Sequence, residues 1–287
     1  MKINVVTGGG TGIGKAVAAM LRKDEQVIIT GRRMDKLNKA VAELNAAGCN
    51  ASAMTCDVSK REDVRKLAEH AASLGEIDKV IHCAGISGSM GKRETIIRIN
   101  ALGTVHVNQE FYKVMNGGCI VDVASDSGYM LPGLMLPGKR TYRLAISDEE
   151  AFVQKMVRKA KLGKEETSSQ IAYMISKNFV RWYAGCCAYK YMVTKKIRVL
   201  SVSPGFVKTP MTDAEQGEAT DTMLSYTGWK RGAEPEELAY VITALADERA
   251  RYLIGADILC DGGAVTNGYG MMTATKRYDE SSLKENW

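Results

Sequence analysis

The sequence has no C-x-x-C pair of the kind that binds metal or cycles between thiol and disulfide, no apolar stretch long enough to span a bilayer, and no run of like charge. Each absence excludes something. Seven cysteines, at 49, 56, 83, 119, 186, 187 and 260, are odd in number and scattered, so they read as reduced thiols and no metal site is expected. The adjacent Cys186 and Cys187 read as small buried residues on one helix, with a redox pair as the alternative. The net charge of +6 is spread among acids, so neither a nucleic-acid stripe nor a membrane-binding face is expected. Met1 leads directly into the strand-like Ile3-Asn4-Val5-Val6-Thr7 with no secretory pattern, and a cytoplasmic protein is expected.

What is present is enough apolar material for one substantial core: 287 residues at 45% hydrophobic content, expected as a single domain over 1–287. Short β-branched runs at 3–7, 26–30, 51–56, 79–83, 119–124, 198–203 and 257–260 alternate with longer amphipathic segments such as 36–47 and 60–73. That alternation predicts an α/β fold: a doubly wound, Rossmann-like parallel sheet of about seven strands with helices on both faces. No internal repeat or low-complexity tract interrupts it.

Between the first strand and the helix over 15–22 lies Thr7-Gly8-Gly9-Gly10-Thr11-Gly12-Ile13-Gly14. Glycines let backbone N–H groups and the helix N-terminus approach a pyrophosphate closely; a plain glycine-rich turn is the alternative. Gly8, Gly10, Thr11, Gly12, Ile13 and Gly14 are therefore candidate cofactor residues. The spacing is T-G-x-x-x-G-x-G, not G-x-G-x-x-G, and in this the chain resembles the short-chain dehydrogenase/reductase family. The second strand ends in Thr30-Gly31-Arg32-Arg33, where NAD binding would call for an acid. A guanidinium can grip a 2′-phosphate, so Arg32 and Arg33 argue for NADP(H), with NAD(H), and with arginines that are merely solvated, as the alternatives. Asp57-Val58 and Cys83-Ala84-Gly85 resemble the family's adenine-side and N-N-A-G elements, with His82-Cys83 in place of the asparagine pair. His82, without a visible catalytic partner, reads as a packed residue.

Tyr173 and Lys177, four apart, fall on one helix face, where an ammonium can lower the acidity barrier of a phenol; chance would also give Y-x-x-x-K on an ordinary helix. The surrounding pattern supports the chemical reading. Ser125 closes the strand at 119–124 and is followed by Gly128, and Asn100 stands in Ile99-Asn100-Ala101-Leu102-Gly103. The resemblance covers about residues 1–130 and 165–263, and implies that Ser125 hydrogen-bonds the substrate oxygen, Tyr173 exchanges the proton, Lys177 binds the nicotinamide ribose and Asn100 holds a relay water. It also implies that Pro204, Gly205, Val207 and Thr209 belong to a loop over the nicotinamide, and that the partner is a small-molecule alcohol or ketone.

Forty-eight positions separate Ser125 from Tyr173, about thirty more than a strand-to-helix connection needs. Within this insertion, at about 130–165, Ser147 with Glu150 reads as a capping box opening a basic amphipathic helix over 148–162, preceded by an apolar loop at 130–138. Some steroid and carbonyl reductases of the family carry an insertion here, which implies a steroid, bile acid or other bulky apolar carbonyl. A substrate loop at 211–231 and a tail at 264–287, with Tyr269, Met271 and Met272, are further candidates to shape the pocket. The resemblance implies a homodimer or homotetramer through the Asn100 and Tyr173 helices. A nucleotide-sugar epimerase and a non-catalytic NADP-binding sensor are the other function classes.

Overall fold

The β-branched runs form one seven-stranded sheet in the computed structural model, which describes residues 1–213 and 217–270. The strands are β1 (Lys2–Thr7), β2 (Gln26–Gly31), β3 (Asn50–Thr55), β4 (Glu76–His82), β5 (Cys119–Val123), β6 (Arg198–Pro204) and β7 (Asp257–Cys260). Their order is β3-β2-β1-β4-β5-β6-β7 and every pairing is parallel. The order reverses between β1 and β4, which opens a crevice beyond their carboxyl ends. Each expected strand is found, with ends shifted by up to three residues.

Helices cover both faces. On one side lie α1 (Gly12–Met20), α2 (Met34–Ala46) and α10 (Pro235–Ala246); on the other, α3 (Arg61–Leu74), α5 (Gly103–Val114) and α8 (Glu165–Lys195). The spacing of Val64, Leu67, Ala68 and Ala71 explains α3, whose buried stripe repeats every three or four residues. A short α4 (Arg93–Ile96) runs through a π-helical stretch, Ile97–Leu102, into α5, and that stretch carries Asn100. Past β6 the chain forms α9 (Glu218–Tyr226), within the expected substrate loop.

A polar row crosses the sheet, because Thr7, His82, Asp122, Ser201 and Asp257 are register neighbours on successive strands. Burial obliges each to find a partner. Thr7 Oγ1 meets His82 Nδ1 at 2.7 Å, Asn108 Nδ2 donates to Asp122 at 3.0 Å, and Ser201 Oγ donates to Asp257 at 2.5 Å. Burial, aided by the Lys177 charge, pushes His82 down to about 3, so it is the neutral, packed residue expected.

The insertion differs from its expected form. It holds two helices, α6 (Lys139–Ser147) and α7 (Glu149–Lys159), and the N-cap of α7 is Asp148, whose carboxylate accepts from Ala151 N at 3.0 Å. Ser147 is not a cap, because it closes the preceding helix. Phe152 and Tyr142 from these helices pack on Phe179 of α8, with ring centroids 4.7 and 5.2 Å apart. Glu149 pairs with Arg61 and lies 3.3 Å from His106 Nε2, which ties the start of α7 to α3 and α5. Eight of the twelve residues of α5 are buried within this chain. Cys187 is buried, but Cys186 is exposed, contrary to the expectation for the pair, because the two point to different sides of α8. Met271 and Met272 lie outside the described residues. No helix among those described is long and apolar enough to cross a membrane.

Candidate active site and dinucleotide cleft

The crevice at the strand-order reversal is a cavity of about 350 Å³. Its floor is the glycine turn: Gly8, Gly10, Thr11, Gly12, Ile13 and Gly14 all border it. Gly8 and Gly12 adopt φ of 69° and 53°, a left-handed conformation that glycine reaches without a Cβ clash. At Gly10 an added Cβ would meet only Leu37 Cδ2, at 3.5 Å, an ordinary contact. Thr11 is the N-cap of α1 but its side chain caps nothing, which leaves first-turn N–H groups for an anion. These features fit a pyrophosphate.

At the other end the cavity is bordered by Arg32, Arg33 and Lys36, all exposed and none paired with an acid among the described residues. Lys36 went unnoticed in the sequence, although its place one turn after Arg32-Arg33 was a readable signal. Asp57, Val58, Ala84 and Gly85 also line the cavity, as expected, with Cys83 of the same motif; so do Cys56, Met90 and Ile99, which no motif marks because they enter through the fold. Burial pushes the Cys56 and Cys83 thiols up to about 12, so both are protonated. From the loop after β6 only Thr209 of the expected residues reaches the cavity, with Pro210 and Met211. Pro204, Gly205 and Val207, expected in this loop, do not line the cavity; Gly205 N donates to Cys260 O at 3.0 Å and Val207 bridges Ala233.

Of the four candidate catalytic residues none borders the cavity directly; Asn100 and Lys177 lie just behind Gly85, Tyr173 is beside Lys177, and Ser125 sits at the end of β5. Lys177 Nζ donates to Val123 O at 2.9 Å and stands 5.9 Å from the ring centre of the half-buried Tyr173. Burial lowers its pKa to about 8, against the opposing pull of Cys83 and Asp122. A Cβ on Gly85 would lie 3.2 Å from Asn100 Oδ1 and 3.6 Å from Lys177 Nζ, so a bare backbone separates these groups from the cavity. The Asn100 amide clamps Ile86, accepting from its N–H and donating to its carbonyl at 2.9 Å each, and also donates to Ser176 Oγ at 3.2 Å. Ser125 begins a 3-10 turn, Asp126–Tyr129, which meets α8 at Gly128. There a Cβ would lie 2.9 Å from Asn178 N, and Gly128 O accepts from Asn178 Nδ2 at 2.8 Å and from Arg181 Nη1 at 2.9 Å. Serine turn and tyrosine helix are therefore fixed to each other.

Family models corroborate this architecture: residues 2–136 match one described as short chain dehydrogenase, and residues 150–265 match one described as Enoyl-(Acyl carrier protein) reductase. A short-chain dehydrogenase/reductase of Alternaria brassicicola is 28% identical, over 91% of this chain and 94% of its own. A 3beta-hydroxysteroid dehydrogenase of Mediterraneibacter gnavus is also 28% identical, over 92% of this chain and 95% of its own. Among solved structures, a short chain dehydrogenase from Burkholderia cenocepacia J2315 in complex with NADP superposes with a TM-score of 0.72 at 22% identity, covering 92% of this chain and 98% of its own. The chain belongs to the short-chain dehydrogenase/reductase family, and is an oxidoreductase acting on CH–OH groups with a nicotinamide dinucleotide.

Proposed function

We propose that the protein is a single catalytic domain that interconverts a bulky apolar secondary alcohol and its ketone with NADP(H). The observation that carries this reading is the placing of Lys177, with Tyr173 beside it and Asn100 near it, behind Gly85 at a cleft whose outer end is cationic. A bound nicotinamide supplies or accepts the hydride at its C4. Gly8, Gly10, Thr11, Gly12, Ile13 and Gly14 would hold the pyrophosphate, Asp57, Val58, Ala84 and Gly85 the adenine side, and Thr209 the lid over the nicotinamide. Arg32, with Arg33 and Lys36 beside it, would bind a 2′-phosphate by charge-assisted hydrogen bonds.

Ser125 would hydrogen-bond the substrate oxygen, and Tyr173 would deliver or remove its proton. Lys177, on the next turn of the same helix, stabilises the tyrosinate and positions the ribose. Asn100 keeps the Ile86 backbone and Ser176 in place beneath them. The 3beta-hydroxysteroid dehydrogenase relative supports a hydrophobic substrate. With most of α5 buried, self-association would fall to the α8 surface that bears Tyr189, 76% exposed, and Val193, 55% exposed.

The test is Tyr173→Phe, assayed against a panel of cyclic and steroidal alcohols and ketones. Turnover should fall at least ~100-fold while NADPH affinity stays within about twofold. A variant that turns over normally would remove the proton-transfer role.

A further inference from the structure

We infer that Asp126 is a positioning residue that sets the direction of the Ser125 hydroxyl proton, and with it whether the site prefers an alcohol or a ketone. The inference rests on the proposed contact between Ser125 and the substrate oxygen. A serine hydroxyl has one proton to donate. Ser125 Oγ accepts from Ser127 N at 3.2 Å and donates to Asp126 Oδ1 at 3.0 Å, so its proton is committed to the neighbouring carboxylate. The same oxygen of Asp126 receives Ser127 Oγ at 3.4 Å. Asp126 is 3% exposed, and its Oδ2 is buried without a hydrogen-bond partner.

No cation compensates that carboxylate among the described residues. The guanidinium that binds this turn, Arg181 of α8, is spent: its Nε donates to Asp257 Oδ2 at 3.0 Å and its Nη1 to Gly128 O. The other groups facing Asp126 are Asp261, which follows β7, and Tyr269 beyond it. Burial pushes the Asp126 carboxyl up to about 7; the Ser125 hydrogen bond opposes this and the Asp261 charge adds to it. Both protonation states are thus populated near neutrality.

The two states present different faces of Ser125 to a substrate. With Asp126 ionised, the serine proton points at the carboxylate and Oγ offers a lone pair, which accepts from an alcohol O–H. With Asp126 neutral, that attraction is gone and the serine proton is available to a ketone oxygen. Hydrogen bonds of this kind are worth about five- to tenfold in binding.

Two measurements test this, one of them without substrate. In ¹³C-labelled ligand-free protein, Ser125→Ala should move the Asp126 carboxyl titration upward by about one pH unit, because a hydrogen bond to the charged form is lost. An unmoved titration overturns the inference. In steady-state assays with the cyclic alcohol/ketone pair that wild type turns over fastest, KM for ketone over KM for alcohol should rise about five- to tenfold between about pH 6 and about pH 8. In Asp126→Asn the ratio should be flat. The same slope in both proteins overturns the inference, whatever the titration shows. An intact Ser125–Asp126 coupling with no turnover of any pair by wild type would instead overturn the proposed function, and the inference with it.

Discussion

Replacing Arg32 by alanine probes the cationic end of the cleft. Arg32, Arg33 and Lys36 are exposed and free of acidic partners among the described residues, so none needs to break an existing ion pair to bind a phosphate. A charge-assisted hydrogen bond contributes about 1.5–3 kcal/mol, which corresponds to a ten- to hundredfold change in affinity at about 1.4 kcal/mol per decade. Arg33 and Lys36 remain in the variant and keep part of the attraction, which places the expected loss of NADPH affinity near the lower end, about ten- to thirtyfold. NADH lacks the 2′-phosphate, and its affinity should change by less than about twofold. Because the three cations are solvent-exposed, the discrimination should shrink as salt rises through physiological strength. Fluorescence titration of wild type and Arg32→Ala with both cofactors, at two ionic strengths, reads all of this. A wild type that prefers NADH, or a variant indifferent to the loss of the guanidinium, would refute the phosphate contact.

Other perturbations follow from the packing. Phe179 is fully buried and touches the rings of Tyr142, Phe152, Trp182 and Tyr183, so Phe179→Ala should cost about 3–5 kcal/mol in urea unfolding, and a loss below about 1 kcal/mol would show that the inserted helices are not anchored there. Gly128→Ala would set a Cβ 2.9 Å from Asn178 N and push the serine turn off α8; turnover should drop at least ~10-fold for a stability loss of about 1–3 kcal/mol, and unchanged turnover would mean that the turn need not touch the helix. Lys177 has a pKa of about 8 in the folded protein against 10.5 as its ordinary value, so the unfolded chain binds more protons in that interval and stability should rise with pH across it. The ammonium is lost over the same range, so kcat/KM should fall above about pH 8. Lys177→Met should abolish the rise in stability; a rise that persists in the variant assigns it to another group.

Much of the fold was readable because both periods are strong: β-branched runs of four to seven residues and helices with apolar residues three and four apart. The glycine turn and the Tyr173–Lys177 pair were readable for a similar reason, since their chemistry needs neighbours close in sequence. The insertion was only half readable. Ser147 and Asp148 are both good caps, and the sequence alone did not show that α6 ends where α7 begins, so Ser147 stands at a helix end and Asp148 takes the cap. Contacts between distant segments were not readable at all. Tyr129, Arg181 and Asp257 are far apart in sequence, yet Asp257 Oδ2 accepts from Tyr129 OH at 2.5 Å and from Arg181 Nε at 3.0 Å. The tie between the start of α7 and both α3 and α5 likewise depends on a fold that brings Glu149 to Arg61 and His106.

The most direct measurement of the central claim is deuterium transfer. Protein is mixed with NADPH carrying deuterium at nicotinamide C4 and with the ketone panel, and the products are read by mass spectrometry. One deuterium on the carbinol carbon with wild type, from one C4 face only, and none above background with Tyr173→Phe is the result expected. Label transfer that is undiminished in the variant, or a wild type that binds NADPH and transfers none to any ketone, would contradict the assignment of the site.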